Sequence, residues 1–222
     1  MIKPTHEQIA AQLRKPHGKL ANEVTEFMER SNRKIYELGL RNLNMLPGDS
    51  LIEIGPANGA FTDYFFNLES DIHYTGIDYS DDMIQEANER NSKLVKEGKA
   101  EFVFGDVVDV RLGKKANQIF SVNTIYFWED PLRYFRWAND TLTEGGQFIV
   151  CFRSGSTMQS LPFTQYGFRL YESESVKKLF SDSGFSNIHI FEEEEEITSP
   201  EGKRVTLKNI CGTGEKIKFD RF

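Results

Sequence analysis

From residue 50 onward the chain switches between two hydrophobic periods. Short apolar runs of strand length occur at Ser50–Ile54, Ile72–Ile77, Ala100–Phe104, Gln118–Asn123 and Gly146–Phe152. Between them, residues 59–68, 80–97 and 131–142 space their apolar positions three and four apart, the mark of a helix. Ser80-Asp81-Asp82 makes a good helix start, because the serine can cap orphan amides and the carboxylates suit the positive end of the dipole. Strand and helix alternating in this way predict an α/β fold: a parallel sheet with helices on both faces, joined by right-handed crossovers.

Both ends depart from that rhythm. Val24, Phe27, Met28, Ile35 and Leu38 fall at helical spacing with polar residues between them, so residues 20–40 read as an amphipathic helix lying on something else. Arg14-Lys15-Pro16-His17-Gly18 is a turn before it, Pro47-Gly48-Asp49 resets the chain after it, and the stretch around His6 reads as a frayed end. Towards the C-terminus a helix over Glu174–Ser183 stops before Gly184. Strands then follow at Ser186–Ile197 and Arg204–Gly212, linked through Ser199-Pro200-Glu201-Gly202, and so close a link implies antiparallel pairing. The acidic run Glu192–Glu196 reads as a solvated strand end that discourages edge pairing. The expected organisation is one domain, with a helical extension at 1–45, a core at 46–222 and a lid segment at 156–170.

Composition narrows the function. A chain of 222 residues can form one sizeable core, and a net charge of −7 argues against a nucleic-acid partner, which needs a basic face. Cys151 and Cys211 sit in strand-like apolar runs and read as two reduced core thiols rather than metal ligands, so no metal is expected. No run approaches the ~18–20 apolar residues of a membrane span, and the first residues lack an apolar signal core. The expectation is a cytoplasmic protein without a membrane partner.

In open parallel sheets, ligands bind beyond the carboxyl ends of the strands near the switch point, so the residues after each strand carry the chemistry. After the first strand come Gly55, Pro56, Ala57, Asn58 and Gly59, with Glu53 just before the turn. No Lys-Ser or Lys-Thr follows, which excludes a P-loop. A dinucleotide fingerprint anchored at Gly55 wants a second glycine where Ala57 stands and a third small residue where Ala60 stands, and the chain's other glycine falls at Gly59, so the helix start is not shaped for pyrophosphate. The acid of the E-x-G-x-A-x-G pattern would repel phosphate and welcome an ammonium group. Asp78, at the end of the second strand, stands where a carboxylate accepts both ribose hydroxyls. Asp106, after Gly105, can accept from an adenine amino group, with Val107 as amide donor and apolar wall.

Glu53-Ile-Gly-Pro-Ala-Asn-Gly59, Asp78, Gly105-Asp106, Asn123 and Leu142-Thr-Glu-Gly-Gly146, in this order, resemble the motifs of class I S-adenosylmethionine-dependent methyltransferases over about residues 45–213. The likeness is strongest to the small bacterial type 11 members, which often carry a Leu-Arg-Lys-Pro-x-Gly stretch, here Leu13–Gly18. The resemblance implies a Rossmann-like seven-stranded sheet of order 3-2-1-4-5-7-6 with the last strand antiparallel. It implies S-adenosyl-L-methionine as cofactor, held by Glu53, Gly55, Pro56, Ala57, Asn58, Gly59, Asp78, Tyr79, Met83, Gly105, Asp106, Val107, Asn123 and Thr124. Two departures stand out: Ala57 replaces the middle glycine, and Asn123-Thr-Ile-Tyr-Phe-Trp128 replaces the Asp/Asn-Pro-Pro-aromatic signature of many amino-methylating enzymes.

The expected reaction is in-line methyl transfer to a small-molecule acceptor. Aromatic faces favour a sulfonium, which makes Tyr126, Trp128, Phe163 and Tyr166 candidates on the acceptor side. The acceptor side is expected from the N-terminal turn and helix (Lys15 to Asn32) and from the segment Ser156–Leu170, and His17, in that turn, is the histidine best placed to join it. No general base is identified. Two rival readings remain: a protein that binds S-adenosylmethionine without catalysis, and a nicotinamide-dependent oxidoreductase. A methyltransferase acting on protein or RNA is disfavoured by the acidic balance.

Overall fold

The structure is a computed structural model that describes residues 4–198 and 204–218. Its sheet has seven strands in the order β3-β2-β1-β4-β5-β7-β6. These are β1 (Ser50–Ile54), β2 (His73–Asp78), β3 (Ala100–Phe104), β4 (Ala116–Val122), β5 (Leu142–Arg153), β6 (Phe185–Thr198) and β7 (Arg204–Lys216). The first five run parallel, and β7 pairs antiparallel with both β5 and β6. The expected Ser199–Gly202 link lies outside the described residues.

Helices α1 (His6–Arg14) and α2 (Ala21–Leu40) precede the sheet. The crossovers carry α3 (Thr62–Leu68), α4 (Asp81–Arg90), α5 (Ser92–Lys96) and α6 (Pro131–Thr141), and α7 (Gly155–Met158) and α8 (Ser173–Asp182) follow β5. Where a frayed end was expected, α1 is a capped helix: Thr5 Oγ1 accepts from the amide of Gln8, and Gln8 Oε1 from that of Thr5. The helix expected over 80–97 is broken at Asn91. The Asn91 side chain leaves the helical path to donate to the carbonyls of Gly59 (3.1 Å) and Ala87 (3.0 Å), tying the break to the turn after β1. The acidic run is not simply solvated either. Glu195 is buried and accepts from Asn209 Nδ2 at 2.9 Å, while Glu192 and Glu193 pair with Lys208 and Arg41.

Apolar side chains close both faces of the sheet. On one, Phe135, Phe148, Phe180 and Phe185 meet largely edge to face. On the other, Ile35, Tyr36 and Leu38 of α2 lie on Phe120 and Cys151. Cys151 and Cys211 face each other across β5 and β7, both free and buried, as two core thiols should be. At Gly39, α2 comes so near the sheet that a Cβ would stand 2.6 Å from the Phe120 ring and 2.7 Å from Cys151 Sγ.

A polar bolt also fastens α2. Glu53 is buried at the end of β1, and its two oxygens accept from the hydroxyls of Tyr36 on α2 (2.6 Å) and Tyr74 on β2 (2.5 Å). Burial pushes its pKa up to about 7, against the lowering effect of the two tyrosines. Tyr36 also stacks on Phe61 with ring centroids 3.8 Å apart.

Two predictions follow from the seat of α2. Gly39→Ala should destabilise the fold by roughly 1–3 kcal/mol in chemical denaturation, overpacking outweighing the ~1 kcal/mol gain in helix propensity; equal or greater stability would refute the close approach. A carboxyl whose pKa rises on folding holds its proton better in the folded state, so its contribution weakens as pH rises from 4.5 towards about 7. Glu53→Gln should therefore gain on wild type across that window, with no change in the gap above it. A gap that does not vary with pH would contradict the assignment.

Candidate functional site

A cavity of about 420 Å³ opens at the carboxyl ends of the parallel strands. Its floor is the turn between β1 and α3. Gly55 takes a φ of 72°, and a Cβ there would lie 2.4 Å from Thr124 Cγ2, so the turn passes against the end of β4 only without a side chain. Ala57 follows with φ 49°, a left-handed conformation unfavourable for a residue with a Cβ. Its amide donates to Asp78 Oδ2 at 3.1 Å, which helps hold it there.

Asp78 ends β2 and lines the cavity, while its other oxygen accepts from the amide of Ser80 at 2.9 Å. Burial pushes its pKa up to about 6, opposed by the Ser80 and Ala57 amides and by Lys15. A carboxylate held in this way at the cavity wall has acceptor capacity beyond these amides, which suits a vicinal diol. Beyond β3, Asp106 Oδ2 accepts from the Tyr134 hydroxyl at 2.5 Å. Tyr134 stacks on Trp128, centroids 4.7 Å apart and planes 1° from parallel. With Val107 and Phe127 these rings form an apolar slot beside an acid, suited to a flat heterocycle with an amino group.

The other wall is the inner face of α2: Thr25, Met28, Glu29, Asn32 and Tyr36. Glu29 Oε1 accepts from Arg90 Nη1 (2.6 Å) and Asn58 Nδ2 (2.8 Å). Burial acts to raise its pKa, but these partners outweigh it and hold the carboxyl below its usual range. The residues Leu13–Gly18 lie across the top as a strap. Tyr79 donates its hydroxyl to the Arg14 carbonyl, Ser80 Oγ to that of Pro16 (2.6 Å), and the Gly18 amide to Asp82 Oδ2 (2.9 Å).

The structure gathers Gly55, Pro56, Ala57, Asn58, Asp78 and Tyr79 at the cavity, with Gly105, Asp106, Val107, Asn123, Thr124 and Trp128. Other anticipated residues do not line it. The Glu53 oxygens are turned to the two tyrosines instead of an ammonium group, and Gly59 supports the turn through its carbonyl. Met83 is buried core in α4. His17 points its Nδ1 at the Lys15 carbonyl (2.9 Å), back into the turn. Tyr126 is buried beneath Asn123, and Phe163 stands a layer back, reaching the wall only through Phe168 and Phe127. Tyr166 is exposed at the surface. The N-terminal turn and helix, Lys15 to Asn32, were expected on the acceptor side, but sequence reasoning did not single out Thr25, Glu29 and Asn32, which recur with Met28 and Tyr36 at helical spacing.

Among the described residues, no group of His, Cys, Asp or Glu could hold a metal ion, and no helix is long and apolar enough to cross a membrane. A family model described as a methyltransferase domain matches residues 13–190. Phosphoethanolamine N-methyltransferase 1 of Arabidopsis thaliana is 27% identical over 157 residues, 67% of this chain and 31% of its own length, so the chain spans under a third of that relative. The YcgJ protein of Bacillus subtilis superposes with a TM-score of 0.69 at 13% identity, over 84% of this chain and 99% of that one. Phosphoethanolamine N-methyltransferase 2 of Haemonchus contortus, in complex with S-adenosyl-L-methionine, superposes with a TM-score of 0.65 at 16% identity, over 83% of this chain and 52% of that one. The chain belongs to the methyltransferase-domain family and has the fold of the class I S-adenosylmethionine-dependent methyltransferases.

Proposed function

We propose that the crevice binds S-adenosyl-L-methionine and that the protein transfers its methyl group to a small-molecule acceptor. The observation that carries this reading is Asp78: a buried carboxylate, held by the Ala57 and Ser80 amides, that lines a cavity at the switch point. In this reading Asp78 takes the ribose hydroxyls, Asp106 and the Trp128–Tyr134 slot take the adenine, and the Gly55–Asn58 turn lies against the amino-acid tail. The cavity suits a ligand of this kind, lying within the ~300–1,000 Å³ of small-molecule sites.

When bound, the cofactor supplies a methyl group already activated by a sulfonium. The protein's task is to hold an acceptor in line with it and to keep water out, and positioning of this kind can supply ~7–11 kcal/mol. The strap and the inner face of α2 roof the crevice, which favours a small acceptor over a macromolecule. The Haemonchus enzyme, named for phosphoethanolamine, also acts on a small molecule.

Asp78→Ala should weaken S-adenosylmethionine binding by about one to two orders of magnitude in calorimetry, as expected on losing charge-assisted hydrogen bonds of ~1.5–3 kcal/mol. Circular dichroism would confirm that the variant is folded, and unchanged affinity would remove the residue from the site. The ionised carboxylate is the better diol acceptor, so wild-type affinity should fall as pH drops through about 6. Affinity flat from pH 5 to 8 would contradict this.

A further inference from the structure

The cavity wall assembled by α2 is ordered by a chain of side-chain hydrogen bonds. The backbone amide of Arg153 donates to the Tyr126 hydroxyl at 2.5 Å. The single proton of that hydroxyl goes to Asn123 Oδ1 (2.9 Å), its nearer acceptor, ahead of the Arg153 carbonyl (3.2 Å). Asn123 Nδ2 then donates to Asn32 Oδ1 at 3.0 Å. Arg153 also fixes the helix at this level, its Nη2 donating to the Ser31 carbonyl at 2.5 Å. Asn123 is held with φ 56°, and it lines the cavity together with Asn32. Because the relay runs one way, it sets both amide orientations. Asn32 Oδ1 is consumed, and Asn32 Nδ2, without a partner among the described residues, is the polar atom this buried side chain can offer a ligand.

The charges around the cavity point the same way. Arg14 and Arg133 are the basic residues that line it, and they pair with Glu129 (3.9 Å) and Asp109 (2.7 Å). Asp78, Asp106, Asp130 and Glu29 add negative charge, and Glu29 already occupies Arg90. Low-dielectric walls of one sign repel ligands of that sign. Lys15, 5.6 Å from the Tyr79 ring, also faces an acid, since it opposes the rise of the Asp78 pKa. A phosphate dianion would have to compete with these carboxylates for each cation.

We infer that Asn32 Nδ2 is the acceptor-binding donor of this site, that Tyr126 and Asn123 are the residues that position it, and that the acceptor presents an oxygen or nitrogen lone pair and carries no phosphate group. This rests on the methyltransferase reading above and goes beyond it. It also separates this chain from relatives named for phosphoethanolamine.

The test uses the full chain saturated with S-adenosylhomocysteine and titrated with phosphoethanolamine and with inorganic phosphate. Neither should give binding heat at millimolar concentration, and saturable binding of either would overturn the inference. In cell extract supplied with isotopically labelled S-adenosylmethionine, the label should reach compounds without a phosphate group. Asn32→Ala should slow that transfer about tenfold, as expected on loss of one hydrogen bond, with the fold retained by circular dichroism and cofactor affinity near wild type. Tyr126→Phe should cause a similar loss, and the double variant little more, since both act through one donor. Label on phosphorylated products, an unaffected Asn32→Ala rate, or fully additive losses would each contradict the assignment. Absence of any labelled product despite intact cofactor binding would instead refute the methyltransferase reading, and the phosphate titration would still decide the charge argument.

Discussion

The site is organised around one carboxylate. Asp78 sits where β2 ends, so the sheet sets its position, and its two oxygens accept from the amides of Ala57 and Ser80. The first of these bonds crosses to the neighbouring crossover and holds Ala57 in a left-handed conformation. Shaping the turn and lining the cavity with a carboxylate are two effects of the same group. The energetic burden is burial, which lifts its pKa to about 6 and leaves the crevice in want of a polar ligand.

Around that carboxylate, helices contribute through their ends and inner faces. The break at Asn91 costs α4 its continuity and ties the Gly59 carbonyl to the second crossover. The Glu53 bolt draws α2 onto the sheet through Tyr36, a residue that also lines the cavity. The position of the helical cap and the shape of the crevice are thereby coupled: a change at Glu53 reaches the crevice wall through Tyr36.

Much of this was legible in the sequence because sheets obey local rules. The period of the apolar runs located every strand, and the topology of parallel sheets indicated that Asp78, Asp106 and Asn123 would converge although they are far apart along the chain. What was not legible depended on where side chains turn. Glu53 has the charge for an ammonium partner, but two tyrosines from other elements claim it, and one of them lies on a helix whose docking the sequence did not specify. His17 stands in the right turn yet bonds back to Lys15. Phe163 has the expected aromatic character one layer too far out. The helix up to Asn32 was expected beside the acceptor, but its inward residues were hidden for a different reason. Its apolar members account for an amphipathic helix, and nothing local says that Glu29 and Asn32 face inward with them.

The central claim is that Asp78 and the turn it shapes form a seat for the nucleoside of a methyl donor. A crystal structure of the protein with S-adenosylhomocysteine tests this most directly. The account predicts both ribose hydroxyls within hydrogen-bonding distance of Asp78, with the adenine between Val107 and the Trp128–Tyr134 pair. A nucleoside bound elsewhere, or a crevice that stays closed to it at saturating ligand, would contradict the account.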